Sequence, residues 1–158
     1  MTDQEVYQAI QESTNAVFTT MLHLEISPKQ PGEETDPQPL NGVMALLGFT
    51  GEWVGTGILY CREQFACRLG SAMLMTEITE VTNDVLDGVG EMANMVMGNV
   101  KDRLEPLVGT LAMSIPTVVY GRNFHTRTTA QPKWWVYPFG VGPDSFEIRL
   151  CLTHKKTP

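Results

Sequence analysis

Four residues in the middle of the chain have the types and the spacing of a polar row on a helix. Asp87, Glu91, Asn94 and Gly98 follow one another at steps of four, three and four residues. At about 100° per residue, these positions fall within about 60° of one another on a helical wheel. The spacing therefore predicts a single row along an exposed helix surface.

The reactions that this row could support are limited, because several kinds of catalytic group are missing from it. Glu91 and Asn94 have no nucleophile, metal-ligand set or histidine base beside them in the sequence. A neutral carboxamide is a poor proton acceptor, but it can hold and orient a water molecule. Phosphoryl transfer depends mainly on positioning and electrostatics, so an oriented water can suffice if another molecule supplies the metal and the phosphoryl group.

Two further positions favour a contact surface on this helix. Gly98 costs about 1 kcal/mol relative to alanine at an exposed helical site, which indicates close approach by another group. Met95 lies about 100° from Asn94 and would provide an apolar contact. Exposed acidic residues also have an ordinary explanation, because they keep a helix soluble and favour its positive N-terminal end. The wheel alone leaves both interpretations open.

The helix that carries the row is predicted to begin at Thr82 or Asn83. It is predicted to end at about Leu104, because Pro106 disfavours a helical conformation at Glu105. Its predicted buried face consists of apolar residues that fall within about a third of the wheel, namely Val85, Val89, Ala93, Val96, Val100 and Leu104.

The rest of the chain predicts elements that could position this helix. Residues 3–24 have helical periodicity with Asp3 as cap, and Pro28 to Asn41 is a polar, proline-rich loop. The other predicted elements are strands at 43–50 and 53–61, a helix at 63–74, and strands at 111–120, 126–138 and 145–153. The order α-β-β-α-α-β-β-β predicts one α+β domain over residues 1–158, with an antiparallel sheet packed against long helices.

Composition excludes several classes of function. The net charge is −7 without a basic patch, which argues against nucleic-acid binding. The apolar runs are too short to span a bilayer, and the acidic N-terminus is unlike a secretory signal, so a cytoplasmic location is expected. The three cysteines have no CxxC pair and the three histidines are far apart, so we expect buried thiols and no metal site.

The sequence resembles the CheC/CheX/FliY phosphatase family, and in particular its single-domain CheX-type members. The resemblance is carried by Asp87-x-x-x-Glu91-x-x-Asn94, extended through Gly98, and by the downstream segment Ser114-Ile115-Pro116-Thr117-Val118-Val119. The glycine-bearing segment from Gly48 to Trp53 is similar to the family's first hairpin. Pro116 follows Asn94 after 21 intervening residues, one fewer than the usual spacing.

The resemblance implies dephosphorylation of a phospho-aspartyl, CheY-like receiver domain. In that reaction Asn94 would orient the attacking water, and Glu91 would engage the active-site lysine of the receiver. Asp87, Met95 and Gly98 would contribute to partner binding. Mg²⁺ would belong to the receiver rather than to this chain, and a homodimer with one site per subunit is expected.

Three alternatives remain open at the level of sequence. Glu12 and Asn15 in the first helix also have E-x-x-N spacing, although neither a flanking glycine nor a suitably placed proline accompanies them. The chain could instead be a non-catalytic adaptor or dimerisation module of the same fold. Trp134, Trp135 and Tyr137 could line an aromatic ligand pocket, or their strand could form the dimer interface.

Overall fold

The computed structural model describes residues 1–34, 40–127 and 132–156. Its helices are α1 (Asp3–Val17), which continues into a π-helical turn (Phe18–Leu22), α2 (Glu63–Leu74) and α3 (Asn83–Val108). Its strands are β1 (Ser27–Pro28), β2 (Gly32–Glu34), β3 (Leu40–Thr50), β4 (Trp53–Cys61), β5 (Ala112–Met113), β6 (Thr117–Phe124), β7 (Trp134–Val141) and β8 (Asp144–His154).

The strands that the structure describes form one antiparallel sheet. Its order is β1-β7-β8-β4-β3-β5, with β2 also pairing with β7 and β6 also pairing with β3. The predicted α+β class, with an antiparallel sheet packed against helices, is therefore confirmed. Two short strands, β1 and β2, are additions to the predicted order, and β5 arises because one predicted strand is split.

The sheet is apolar on both faces. One face packs with the three helices into the main core, to which β8 contributes Phe146, Ile148, Leu150 and Leu152 at alternate positions. The opposite face carries a smaller cluster that includes Met44, Ile58, Trp134 and Cys151. Helix α3 lies across the first face and contacts α1, α2, β3 and β6.

Helix α1 begins at Asp3, as predicted, but its N-cap lies one residue earlier than the predicted cap. Thr2, rather than Asp3, is the N-cap, and it forms a capping box in which Glu5 N donates to Thr2 Oγ1 and Thr2 N donates to Glu5. The chain then passes through the π-helical turn and leaves the helix at His23, which has a positive φ of 52°. Apolar periodicity does not distinguish such a turn from continued α-helix. The prediction of one helix over 3–24 is therefore correct for residues 3–17, whereas residues 18–22 are π-helical and residues 23–24 lie outside the helix.

Helix α3 continues past its predicted end. It reaches Val108 with Pro106 inside its last turns. The proline removes one helical hydrogen bond, but Leu104 and Val108 on either side of it are buried in the core. The side chain of Glu105 also accepts a hydrogen bond of 3.0 Å from the amide of Leu111 just beyond the helix. Tertiary contacts thus hold this end, which the local proline rule does not take into account.

Three other predicted segments need correction. The loop from Pro28 to Asn41 contributes short strands to the sheet, because β1 and β2 pair with β7, while residues 35–39 lie outside the described residues. The predicted strand at 111–120 is split into β5 and β6 around Ser114, Ile115 and Pro116. The predicted strand at 126–138 begins only at Trp134, and residues 128–131 lie outside the described part of the chain.

Among the described residues, no helix has both the length and the apolar character needed to cross a membrane.

Candidate functional site: the exposed face of helix α3

Helix α3 presents the predicted polar row at its surface. Asp87, Glu91 and Asn94 are exposed, whereas Met95 and Gly98 are half-buried. The helix begins at a true cap, because the amide of Val85 donates to Thr82 Oγ1 at 3.3 Å. The six residues of the predicted buried face are all fully buried, namely Val85, Val89, Ala93, Val96, Val100 and Leu104. The apolar face therefore fixes the rotation of the helix and directs the row outward.

The two halves of α3 differ in how their charges are neutralised. In the C-terminal half, Lys101 Nζ lies 3.1 Å from Asp102 and 2.9 Å from Glu105, and Arg103 forms an ion pair with Glu12 of α1. In the N-terminal half, the side chains of Asp87, Glu91 and Asn94 form no hydrogen bond or ion pair with any residue that the structure describes. Their carboxylates and carboxamide are therefore free to interact with another molecule.

A segment of the β5–β6 connection lies along one side of the row. A methyl group on Gly90 would lie 3.1 Å from Val118 Cγ2 and 3.8 Å from Pro116 Cγ. A methyl group on Gly98 would lie 3.9 Å from Met113 Cε. The chain from Met113 to Val118 thus runs antiparallel to the helix, from Gly98 back towards Gly90. Gly90 allows this close approach, which gives the downstream proline segment a direct structural link to the helix.

Ser114 fastens this segment to the sheet. Its amide donates to the carbonyl of Gly48 at 2.9 Å, and its Oγ accepts from the amide of Gly48 at 2.8 Å. The same Oγ donates to the carbonyl of Ile115 at 3.1 Å. These contacts are at the junction where β5 ends, so the connection is held in place beside the row.

A shallow groove borders the other side of the row. It has a volume of about 280 Å³ between the end of α1, the π-helical turn and α3. The groove is mainly apolar, and it is lined by Ala16, Val17, Thr20, Met21, Met95 and Asn99. Met95, predicted as an apolar contact, thus lies in the wall of a groove next to Asn94.

The second E-x-x-N pair is arranged differently. Glu12 and Asn15 are both exposed on α1. Glu12, however, accepts a hydrogen bond of 2.9 Å from Gln8 and forms the ion pair with Arg103. Its carboxylate is therefore engaged in fastening α1 to α3, unlike that of Glu91.

The three cysteines are buried, as expected, and form no disulfide among the described residues. Burial raises the pKa of the Cys61 thiol to about 12. Burial also raises the pKa of Cys67 and of Cys151. All three thiols therefore remain protonated near neutral pH and are poor nucleophiles. Among the described residues, no group of three or more His, Cys, Asp or Glu side chains could hold a metal ion.

The aromatic residues of β7 do not form a pocket. Trp135 and Tyr137 lie in the main core, where Trp135 Nε1 donates to Asp3 at 2.8 Å and the Tyr137 hydroxyl donates to Gln11 at 2.6 Å. Trp134 belongs to the cluster on the opposite face of the sheet, as alternation along a strand requires. Strand β7 is paired on both edges, by β8 and by β1 with β2. The prediction of an aromatic ligand pocket is therefore wrong, whereas the dimer interface predicted at this strand stays a prediction.

Sequence reasoning missed the role of Gly90 and of the connection from Ser114 to Pro116 in building this surface. A signal was present, because Gly90, Asn94 and Gly98 are spaced by four residues and so lie along one side of a helix. Small residues at both ends of such a line indicate that a neighbouring segment passes close to the helix.

Together the fold and the site define a class of α+β protein in which a long helix packs across an antiparallel sheet. This helix displays acidic and amide side chains that have no partner among the described residues. A family model described as the chemotaxis phosphatase CheX matches residues 43–140, a range that includes the row and the proline segment. The chain belongs to this CheX family.

Individual relatives agree with this assignment. The CheY-P phosphatase CheX of Thermotoga maritima is 24% identical over 127 residues, which are 80% of this chain and 82% of that protein. The crystal structure of the chemotaxis protein CheX from Vibrio vulnificus has a TM-score of 0.84 at 27% identity, covering 94% of this chain and 99% of the other. A chain of the CheX–CheY–BeF3–Mg²⁺ complex from Borrelia burgdorferi has a TM-score of 0.79 at 19% identity, covering 92% and 96%, and supports the fold.

Proposed function

We propose that this protein is a phosphatase of a phosphorylated CheY-like receiver domain, with Glu91 and Asn94 as its catalytic residues. The observation that carries the proposal is the state of these two side chains. Both are exposed on α3 and free of partners among the described residues, in a chain of the CheX family. Side chains that act on another molecule must be available in this way.

Asn94 would act by positioning water. Its Oδ1 accepts a hydrogen bond from the water and holds the oxygen in line with the bond between phosphorus and the aspartyl oxygen of the receiver. The new bond forms between the water oxygen and phosphorus, and the bond to the aspartyl oxygen breaks. The products are inorganic phosphate and the unmodified receiver. The carboxamide is not asked to accept a proton, which agrees with its chemistry.

Glu91 would hold the receiver in register. It is one helical turn from Asn94 and has no cation of its own among the described residues. Its carboxylate can therefore pair with the active-site lysine of the receiver. Asp87, one turn further towards the N-terminus, is also exposed and unpartnered, and it would add attraction at the edge of the contact.

In this proposal Mg²⁺ belongs to the receiver, where it neutralises charge on the phosphoryl group. The proposed reaction uses no cofactor bound by this chain. A homodimer belongs to the same proposal and rests on the family resemblance. A cytoplasmic location and action as one domain over residues 1–158 also belong to it, and they rest on composition, chain length and the order of the elements.

The experiment that tests the function is phosphate release from a panel of phosphorylated receiver domains, with and without this protein. We expect release to accelerate for at least one receiver in proportion to the concentration of the protein. If a receiver binds but its dephosphorylation rate does not change, the chain is instead a docking module, and the phosphatase assignment is wrong.

A further inference from the structure

Ile115 is the most exposed apolar residue beside the polar row. It is 87% exposed, although isoleucine is among the residues most often buried. Isolated apolar residues on a surface are common and need no explanation by themselves. The position of Ile115, and the way in which it is held, distinguish it from the others.

The backbone around Ile115 is held on both sides. Ser114 is hydrogen-bonded to Gly48 through its amide and its hydroxyl, and its hydroxyl also donates to the Ile115 carbonyl. Pro116 restricts the residue before it to extended conformations. The ring of Pro116 in turn lies against α3 at Gly90. Ile115 is thus an apolar side chain presented to solvent on a preorganised connection.

The contacts of the neighbouring residues place Ile115 alongside Asn94. Met113 lies by Gly98 and Pro116 lies by Gly90, and Asn94 is midway between these glycines in the helix. Eight helical residues span about 12 Å along the axis, and the three steps from Met113 to Pro116 span about 10 Å of extended chain. The two segments therefore match in length, and the middle of one faces the middle of the other.

We propose that Ile115 is a partner-contacting residue that inserts against an apolar patch bordering the phospho-aspartate of the receiver domain. This inference rests on the proposed function and adds a specificity determinant to it. The polar row supplies charge and an oriented water, and Ile115 supplies the apolar contact that closes one side of the site. A receiver with a charged residue at the facing position would be a poor substrate.

The same contact has a chemical consequence for the proposed reaction. Covering the side of the row with an apolar group excludes bulk water and lowers the local dielectric. The pairing of Glu91 with a cation of the partner strengthens in such surroundings. Because the connection is already fastened by Ser114, little conformational entropy is lost when Ile115 is covered.

The test measures binding and turnover separately with one receiver domain found to be a substrate. Binding is measured to the receiver with BeF3 and Mg²⁺, which mimic its phosphorylated state, and turnover is measured by phosphate release. The variants are Ile115→Ser, the conservative Ile115→Leu, and Leu107→Ser as a matched control. Leu107 is 45% exposed on the same helix as Asn94 and lies about 20 Å further along it.

We expect Ile115→Ser to raise Kd and KM about tenfold, as loss of one buried aliphatic contact would do, with kcat nearly unchanged. Ile115→Leu should retain most of the affinity, and Leu107→Ser should behave as the original protein. Thermal unfolding should be unchanged in all three variants.

Two results would overturn the inference. If the Ile115→Ser variant has the same receiver affinity and KM as the unaltered protein, Ile115 does not contact the receiver. A change in sedimentation behaviour with unchanged receiver affinity would show that a second copy of this chain covers it instead. Failure of the proposed function is distinct, because it would appear as absent phosphate release in the unaltered protein. If that protein also bound no receiver, both proposals would be wrong.

Discussion

Gly98 of α3 faces Met113 of β5, and a methyl group on Gly98 would lie 3.9 Å from Met113 Cε, at ordinary van der Waals distance. The chain therefore has room for a side chain here, so packing within the protein does not require glycine. We predict that Gly98→Ala stabilises the protein by about 1 kcal/mol, because it removes the cost of glycine in a helix. It should nevertheless reduce receiver binding, since the methyl group occupies the clearance proposed for the partner. Chemical denaturation and receiver titration measure the two effects.

Gly90 provides the control for this prediction in the same helix. A methyl group there would lie 3.1 Å from Val118 Cγ2, which is tighter than ordinary contact. Gly90→Ala therefore requires Val118 of β6 to shift by a few tenths of an ångström, and it should show a smaller stability gain than Gly98→Ala or a loss. If Gly98→Ala is stabilised and binds the receiver as tightly as the original protein, Gly98 has no role in partner approach.

The carboxylate of Glu91 is predicted to form an intermolecular salt bridge. Glu91→Gln should raise KM about thirtyfold or more, because loss of one partner from a desolvated charge pair costs about 2 kcal/mol or more. The salt dependence of receiver binding should weaken at the same time. The free energy of unfolding should not change, since Glu91 has no ion pair within the described residues. Steady-state kinetics at several salt concentrations measure these effects.

Asp87→Asn is the matched control for Glu91, because it removes the same charge one helical turn away. We expect a change of only a few fold, as for a charge at the rim of an interface. Equal effects of the two substitutions would mean that general electrostatic attraction, and not a specific pairing at Glu91, accounts for binding.

The first-helix pair is predicted to be structural. Glu12→Gln breaks the ion pair with Arg103 and should lower the free energy of unfolding by up to about 1 kcal/mol, because the pair is partly exposed. Asn15→Ala should be close to neutral. Neither should change stimulated phosphate release. A large loss of release in a well-folded Asn15→Ala protein would show that the site on α1 is active.

Acid is predicted to loosen the junction between α1 and β7. Asp3 accepts hydrogen bonds from Lys133 at 2.6 Å and Trp135 at 2.8 Å. The bond from Lys133 and then that from Trp135 lower the pKa of Asp3 from 3.8 to about 2. A carboxyl with a depressed pKa stabilises the fold fully above its unfolded value, and this contribution is lost as the pH falls towards the folded value.

The Asp3→Asn variant tests this dependence. The difference in unfolding free energy between the original protein and the variant should be largest at neutral pH. It should shrink between about pH 4 and pH 2, the window that the shift of Asp3 defines. Urea titrations at a series of pH values measure the difference. A difference that stays constant across this window would mean that the charge of Asp3 does not contribute.

The spacing of apolar residues along the chain was sufficient to predict the helices and strands in which that spacing is regular. The buried stripe of α3 from Val85 to Leu104 was predicted correctly, because a wide apolar face leaves only one rotation for the helix. Strand β4 and helix α2 were also predicted with their observed bounds, Trp53–Cys61 and Glu63–Leu74. These elements are set by short-range composition, and tertiary contacts do not override them.

The parts that were missed depend on contacts between distant segments. The end of α3 at Val108 is maintained by burial, and strands β1 and β2 exist because β7 offers an edge for pairing. The position of Ile115 beside the candidate site could not be predicted, because it depends on the contact between Pro116 and Gly90. Sequence indicated which residues of α3 could do chemistry, but it did not show which segment lies beside them.

The proposal that Asn94 orients the attacking water is tested most directly by a single-turnover experiment. It measures the rate of phosphate loss from a phosphorylated receiver that is saturated with Asn94→Ala protein. Asn94 is exposed and unpartnered among the described residues, so the variant should fold and bind the BeF3-bound receiver as the original does. We predict that its stimulated rate falls by about a hundredfold or more, as expected when a reacting group loses its positioning. A stimulated rate equal to that of the original protein would show that Asn94 is not a catalytic residue.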